Sequence, residues 1–591
     1  MGASTTESLA EWFKNIHQPI RKEIIMEVRF LGPLGVVTGS CTWMRDLNRK
    51  WNFLVDCGIQ QGEPTQEAWN EADWPFDPKD IRFVVLTHAH MDHCGLIPAL
   101  YRKGFAGPVY CTKETQRLAT ELLKDAIRHS KLPYSAEHIE LIRWKEPGAD
   151  KAFGSHLPVD TDLFLQFLRT GHMVGAVSVV VSWGAPGPEQ RSIHFSGDIG
   201  PGQENRETLP LTRFPMQTSI PSKYAVVEST YGAVVRNPLQ YSEDQRRWSL
   251  RQLLDETLES NGTLVLPAFS IARTQDLMFD LHWLVAEANG QYDRLTFLFD
   301  SPLASKVNPV FAEAFARTDR SHKGKVRPRW LGKQFYRSLG LDDKDPQDIT
   351  EGQNIIGITL NATDRLASVS RGNHIARNWR KIFSSASEAK RLRKETLNGP
   401  TVIVTSSGTC EGGPVVQWLS GLLKIETTTV ALTGYCAKNT VGGQLFAIAH
   451  VPLNERLRDT GFIALPNQTS IEVANIRAKI CKINGYSAHA DQDDLLNWLV
   501  WERDGKFNLV GHEVFVQHGE DRQRQSLAAA LTERAKSKGL TVQTHLPEDP
   551  LQWWSLEEES NVIDLEAERA RIETEIQLLQ TQLLGIRQRA S

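Results

Sequence analysis

The chain is short of the features that mark several large protein classes. Its seven cysteines (Cys41, Cys57, Cys94, Cys111, Cys410, Cys436 and Cys481) are odd in number and form no CxxC pair or regular framework. That argues against a disulfide scaffold and predicts buried small side chains in a reducing compartment. No run is apolar for long enough to span a bilayer, so no membrane role is expected. The stretch "MGASTTESLAEWFKNIHQPI" has no basic leader, apolar core or small-residue cleavage site, which predicts a cytoplasmic protein. Internal repeats and long low-complexity linkers are also missing, so composition alone marks no domain boundary. Charge of one sign is lacking too: 67 Lys and Arg against 71 Asp and Glu leave a net charge of −4. Any nucleic acid must therefore be held by a local basic groove and not by the field of the whole molecule.

What remains is an ordinary globular composition, 40% hydrophobic and 23% charged, spread over 591 residues. Such a chain is too long for one core, and two or three domains are expected. Short β-branched runs alternate with longer amphipathic stretches, which predicts α/β layers. "WNFLVDCG", "IRFVVLTHAH", "SVVVSWG", "SIHFSGD", "KYAVVEST", "GTLVLPAF", "LTFLFDS", "TVIVTSSG" and "HEVFVQHGE" read as strands, and "TKETQRLATELLKDAIRHS" as a helix. Several of the strands run straight into a polar or acidic cluster. That is the pattern of a site built from loops at the ends of sheet strands.

The densest cluster is "LTHAHMDHCG", which holds His88, His90, Asp92 and His93. Imidazole and carboxylate suit zinc, and a tight loop can splay its side chains toward two neighbouring points when other loops complete each shell. A lone histidine would read as an ordinary core or surface residue; four candidate ligands directly after a buried strand do not. His172 in "TGHMVGA", Asp198 in "FSGDIG", His489 in "GYSAHAD" and His518 in "VQHGE" are further candidates, each weak alone. Asp56, just after its strand, fits either a carboxylate that fixes a ligand loop by hydrogen bonds or a turn cap.

Taken in order, these segments resemble the metallo-β-lactamase fold and, from Val28 to Leu546, its β-CASP branch of nucleases. "FLVDCG" with Asp56, "HAHMDH", "GH" at His172 and "SGD" at Asp198 are similar to the first four motifs of the fold. "ESTYG" with Glu228, "SAH" with His489 and "HGE" with His518 are similar to the β-CASP signatures, as are "LVLPAFSIARTQ", "FLFDSPLA" and "VIVTSSGTCEGGP". The wording "HAHMDHCG" is closer to the endonuclease subunit of the cleavage and polyadenylation specificity factor, and to its bacterial and archaeal relatives, than to ribonuclease J. The chain departs from the pattern at Ala272, where a glycine is usual before "RTQ", at Thr409-Cys410, and in "NTVGGQL". These departures bear on substrate preference more than on catalysis.

The resemblance implies an α/β fold: a metallo-β-lactamase αββα sandwich with an inserted α/β β-CASP domain and a C-terminal helix. On that basis an N-terminal extension covers 1–25, the sandwich 26–232 and 486–550, the β-CASP domain 233–485, and a coiled-coil-like helix 551–591. It also implies two zinc ions per chain, one on His88, His90 and His172, the other on Asp92, His93 and His518, with Asp198 between them. Asp92, Asp198, Glu228 and His489 would be catalytic, the last two as a pair that moves a proton. The implied activity is that of a zinc-dependent ribonuclease cutting single-stranded RNA by a two-metal mechanism, endonucleolytic and serving RNA processing or decay. A DNA-processing nuclease of the Artemis type is the alternative, disfavoured because His518 stands where that type tends to carry valine. An inactive RNA-binding scaffold is disfavoured because every implied ligand is present.

Two further features concern partners. "HKGKVRPRWLGKQFYR" and "RGNHIARNWRKIF" interleave Arg and Lys with aromatic residues, as a groove for phosphates and stacked bases would, or as a solvated basic face. Near the C-terminus Val562, Leu565, Ile572, Ile576, Leu579, Leu583 and Ile586 fall on heptad a and d positions, interrupted by Arg569. That seam over 562–586 predicts either association with a second copy or a partner helix, or packing on its own domain.

Overall fold

The computed structural model describes residues 25–61, 69–146, 153–187, 190–202, 209–215, 222–320, 326–361, 379–381, 397 and 399–556. The N-terminal extension up to residue 24 and the segment from 557 onward, with its heptad seam and the association expected of it, lie outside the described residues. Each run read as a strand contains one, and the helix read after the histidine-rich loop is Lys113–His129, capped by the Thr112 side chain.

Alternation along the strands builds the sandwich. In Val177–Trp183, Val177, Val179, Val181 and Trp183 point one way, into a core shared with Phe30, Phe53, Val85, Val226 and Phe515. That core lies between two seven-stranded sheets. One runs, in spatial order, Trp554–Ser555, Met26–Leu31, Cys41–Asp46, Trp51–Val55, Phe83–Val85, Pro108–Tyr110, Arg143–Lys145. The other runs Gln543–His545, Gly511–Gln517, Ser222–Glu228, Arg191–Phe195, Val177–Trp183, Leu163–Arg169, Leu157–Asp160. The opposite faces are covered by helices. Leu54, Val84 and Leu86 meet Leu100, Leu118 and Leu122 on one side, and Ala225, Val227, Val514 and Val516 meet Leu495, Leu527 and Leu531 on the other. The result is the expected αββα sandwich. Trp554–Ser555, which the sequence assigns to the C-terminal helix, instead pairs antiparallel with Met26–Leu31 and closes that sheet edge.

A second unit enters between Ser222–Glu228 and Gly511–Gln517, which are parallel neighbours in one sheet despite their separation in sequence. Its main sheet has six strands, all parallel, in the order Trp379–Lys381, Thr296–Asp300, Thr401–Thr405, Thr263–Pro267, Thr428–Leu432, Lys479–Lys482. Leu264 and Leu266 face one apolar cluster and Val265 the other, and Val402, Val404 and Ile403 divide the same way. Burial on both faces explains why these strands read as unbroken apolar runs.

The described part of the first basic segment is not a groove. Trp330, Phe335 and Tyr336 are buried in a cluster continuous with Leu118 and Leu122 of the sandwich. Arg329 pairs with Asp319 and stacks on Phe153. Its aromatics follow packing between the two units and not ligand binding. Of the second basic segment only Trp379–Lys381, an edge strand, lies within the described residues. Among the described residues no helix is long and apolar enough to cross a membrane.

Candidate metal centre

Seven loops deliver the candidate residues to one place, six of them after strands of the sandwich and one where the chain returns to it from the inserted unit. Asp56 follows Trp51–Val55, and the histidine-rich loop follows Phe83–Val85 and leads into the short helix Met91–Cys94. His172 sits between Leu163–Arg169 and Val177–Trp183, Asp198 follows Arg191–Phe195, Glu228 ends Ser222–Glu228, and His518 follows Gly511–Gln517. His489 comes from the loop after Lys479–Lys482. All the sequence candidates are thereby brought together.

Two groups of donor atoms form on either side of Asp198. His90 Nδ1 lies 3.1 Å from His88 Nε2 and 3.0 Å from His172 Nε2. Asp198 Oδ2 faces His88 Nε2 at 3.3 Å and His172 Nε2 at 3.5 Å. The other oxygen, Oδ1, faces His93 Nε2 at 3.3 Å and His518 Nε2 at 3.4 Å. Asp92 Oδ2 stands 3.8 Å from His518 Nε2. His88, His90, His172 and Asp198 thus make one set with metal-ligand spacing, Asp92, His93 and His518 a second, and Asp198, Glu228 and His489 a third that shares Asp198 with the first.

Hydrogen bonds behind the rings fix which nitrogen faces inward. His93 Nδ1 meets Asp56 Oδ2 at 2.7 Å, while the same carboxylate accepts from the backbone and the hydroxyl of Thr87, both at 2.8 Å. Asp56 thus contacts both the His93 ring and the start of the histidine-rich loop. His172 Nδ1 donates to the Ala488 carbonyl at 3.0 Å, and Arg273 Nη2 donates to the His172 carbonyl at 3.2 Å. Such partners present the opposite nitrogen as a free lone pair.

The donors fit a cation. His93 Nε2, His518 Nε2 and Asp198 Oδ1 are buried, converge on one another and make no hydrogen bond among the described residues. Buried polar atoms left this way are rare, and a dication would satisfy all three. Burial drives His90 and His172 well below the ordinary histidine pKa and lowers His518 too, favouring the neutral, ligating ring. Burial works against charge on His93 as well, but Asp198 and Asp56 outweigh it and raise its pKa. Burial penalises the Asp198 carboxylate, yet the surrounding histidines, His93 first, hold its pKa well below the usual range.

Glu228 and His489 pair beside this cluster. His489 Nδ1 is 3.1 Å from Glu228 Oε2, and Glu228 Oε1 accepts from the Ile199 backbone at 2.6 Å. The other ring nitrogen, Nε2, faces Asp198 Oδ2 at 3.9 Å. Burial opposes a proton on His489, but Glu228 and then Asp198 prevail and raise its pKa.

Several supporting residues were not singled out from sequence. Arg236 donates to the His489 carbonyl and to Ser487 Oγ, at 2.8 and 2.9 Å. Buried Asp280 accepts from Arg246 Nε at 2.7 Å, Arg247 Nε at 3.1 Å and the Tyr486 hydroxyl at 2.8 Å, anchoring the loop that carries His489. Arg273 and Tyr486 lie inside segments that carry the family resemblance, so a signal was present. Arg236 sits in "AVVRNP", which offers none.

A four-layer sandwich with convergent ligand loops defines a metal-dependent hydrolase of the metallo-β-lactamase fold, and the Metallo-beta-lactamase superfamily model matches residues 34–236. The Beta-Casp domain model matches residues 274–445, and that of the Zn-dependent metallo-hydrolase RNA specificity domain residues 473–547. The chain belongs to the β-CASP family of this superfamily, which implies divalent metal binding. It is 27% identical over 521 residues to Ribonuclease TTHA0252 of Thermus thermophilus, covering 87% of this chain and 98% of that protein. It is 26% identical over 517 residues to Transcription termination factor FttA of Methanocaldococcus jannaschii, covering 86% and 69%. A third relative, an RNase J-like protein of the same archaeon, is 25% identical over 517 residues, covering 85% and 94%.

Proposed function

We propose that the protein is a zinc-dependent ribonuclease that hydrolyses single-stranded RNA endonucleolytically, with two zinc ions at the centre described above. The observation that carries this reading is the Asp198 carboxylate, whose two oxygens each face a separate group of inward-pointing histidine nitrogens. His88, His90 and His172 would hold one ion and Asp92, His93 and His518 the other, with Asp198 shared. Two bound dications would supply Lewis acidity toward the phosphodiester and a water made nucleophilic at neutral pH.

The remaining steps belong to the chain. Asp56, Thr87 and the Ala488 carbonyl keep the ligand rings in their tautomers. Water adds its oxygen to phosphorus, the bond from phosphorus to the 3′ oxygen breaks, and the leaving oxygen takes a proton. His489 is placed to give that proton, its charged form favoured by Glu228. The products are a 5′-phosphate and a 3′-hydroxyl. RNA is favoured over DNA by His518, by the match to an RNA specificity domain model and by the ribonuclease name of a relative spanning most of the chain. In this reading the sandwich comprises 26–232 and 486–550, and the inserted β-CASP domain 233–485.

Zinc-loaded protein incubated with matched end-labelled RNA and DNA single strands tests the proposal. Internal cuts in RNA with 5′-phosphate ends, and far slower cutting of DNA, are expected. Comparable rates on DNA would sink the RNA assignment, and activity on neither polymer with both metals bound would revive the scaffold alternative.

A further inference from the structure

A cavity of about 160 Å³ opens beside the metal centre where the two units meet. One side is walled by Tyr231, Arg236 and Tyr241, in the segment that leads from Ser222–Glu228 of the sandwich into the inserted unit. On the other side lie Tyr435 and Asn484, in the loops at the carboxyl ends of the parallel strands Thr428–Leu432 and Lys479–Lys482. The carboxyl ends of parallel strands are where open α/β sheets take their ligands.

The walls are aromatic and held in place. The Tyr231 ring centroid is 6.2 Å from that of His489 and 6.1 Å from that of Tyr435, the latter pair edge-on at 89°. Arg236 packs its guanidinium 4.5 Å from the Tyr231 centroid and 5.4 Å from that of Tyr241, while Nη1 and Nη2 each donate to the loop of His489. Tyr435 leaves 54% of its surface in water, and 40%-exposed Phe269 lies against Gly434 next to it. Large rings at the mouth of a cavity with amide and hydroxyl groups in its wall suit a flat, polar-edged, aromatic ligand.

We propose that this cavity takes one unstacked nucleobase of the substrate, from a nucleotide adjoining the cleaved phosphodiester, with Tyr435 as a stacking surface. The inference rests on the ribonuclease reading above and deepens it. A base held there cannot be paired or stacked in a helix, so the slot selects single-stranded RNA at the cut. Stacking is tolerant of base identity, because every base has a π face.

The test combines Tyr435→Ala and Tyr435→Phe with a walk of one abasic residue across the cleavage site of a single-stranded RNA. Tyr435→Ala should raise KM about tenfold, the loss of one base stack, with zinc content and melting temperature as in the parent, and Tyr435→Phe should restore KM. In the parent, an abasic residue at one position next to the cut should give a similar rise, and at that position Tyr435→Ala should add no further penalty. A flat abasic walk, or an unchanged KM in Tyr435→Ala, with RNA still cleaved, overturns the proposal alone. Hydrolysis of bis(p-nitrophenyl) phosphate by the parent without any RNA cleavage overturns the ribonuclease reading and the slot with it.

Discussion

Ala272 occupies a backbone conformation that few side chains adopt. Its φ of 68° and ψ of −57° place it at the centre of a γ-turn closed by the Arg273 N–H on the Ile271 carbonyl at 2.9 Å. A Cβ is strained there, which gives a physical reason why glycine is usual at this position in the family. The turn starts the helix Arg273–Glu287 and directs Arg273 toward the His172 carbonyl. Ala272→Gly should therefore stabilise the protein, by about 1 kcal/mol, read as a raised melting temperature at equal zinc content. A lowered one would show that the turn is unstrained. Glu228 and His489 make a second residue-level expectation, since they group with Asp198 at metal-ligand spacing but belong to neither of the two histidine-rich sets. Glu228→Gln and His489→Ala should each lower kcat strongly with little loss of zinc, and the double variant should be little worse than the single ones, as for groups that act as a unit. If His489→Ala empties a metal site, the roles given to His489 and His518 are exchanged. These residues could be read from sequence because their types and order are unusual. Thr87, Arg236 and the Ala488 carbonyl could not, because they act through hydrogen bonds between segments whose meeting no local pattern records.

At the scale of elements, the strands were legible because alternation or an unbroken apolar run leaves a local trace, and the ligand loops because they follow strands directly. Close approach between loops left no such trace. The backbone N–H groups of Cys57 and Ile59 hold the His93 and Met91 carbonyls of the ligand helix at 2.8 and 2.9 Å, and a Cβ on the intervening Gly58 would overlap the Asp92 carbonyl. Gly58→Ala should thus push the ligand helix away and lower zinc per chain, measured by metal analysis, although glycine 58 is not itself a ligand. Full zinc occupancy in that variant would mean the two loops part freely. Strand and helix packing gives a pH expectation. His194, in Arg191–Phe195, is buried against Trp498, with Nε2 2.9 Å from Ser178 Oγ, and burial pushes its pKa down to about 3. An unfolded histidine takes its proton near about 6.5. The unfolded chain therefore binds a proton that the folded chain refuses, and the stabilising contribution is whole above about pH 6.5 and is lost as pH falls toward the folded value. His194→Gln should flatten the decline in melting temperature between neutral and mildly acidic pH, and an unaltered slope would contradict the assignment.

At the scale of the whole molecule, the insertion of one unit into the other follows from the order of the segments in the chain, and the neighbouring strands Ser222–Glu228 and Gly511–Gln517 fix where it enters. How tightly the units are joined did not follow from sequence. Arg317 pairs with Glu114 and Glu146, Arg169 with Asp319 and Arg213 with Asp343, around an apolar cluster that runs through both units. Arg329 and the aromatic residues Trp330, Phe335 and Tyr336 are absorbed into this joint, so part of a composition suited to nucleic acid served packing instead. The joint holds the loop of His489, where the chain returns from the inserted unit, against the centre, and the function proposed depends on that centre holding two ions. Titrating zinc into metal-free protein while following cleavage of a single-stranded RNA measures this directly. The rate should reach its plateau at two zinc ions per chain, and a full rate at one would contradict the two-metal centre.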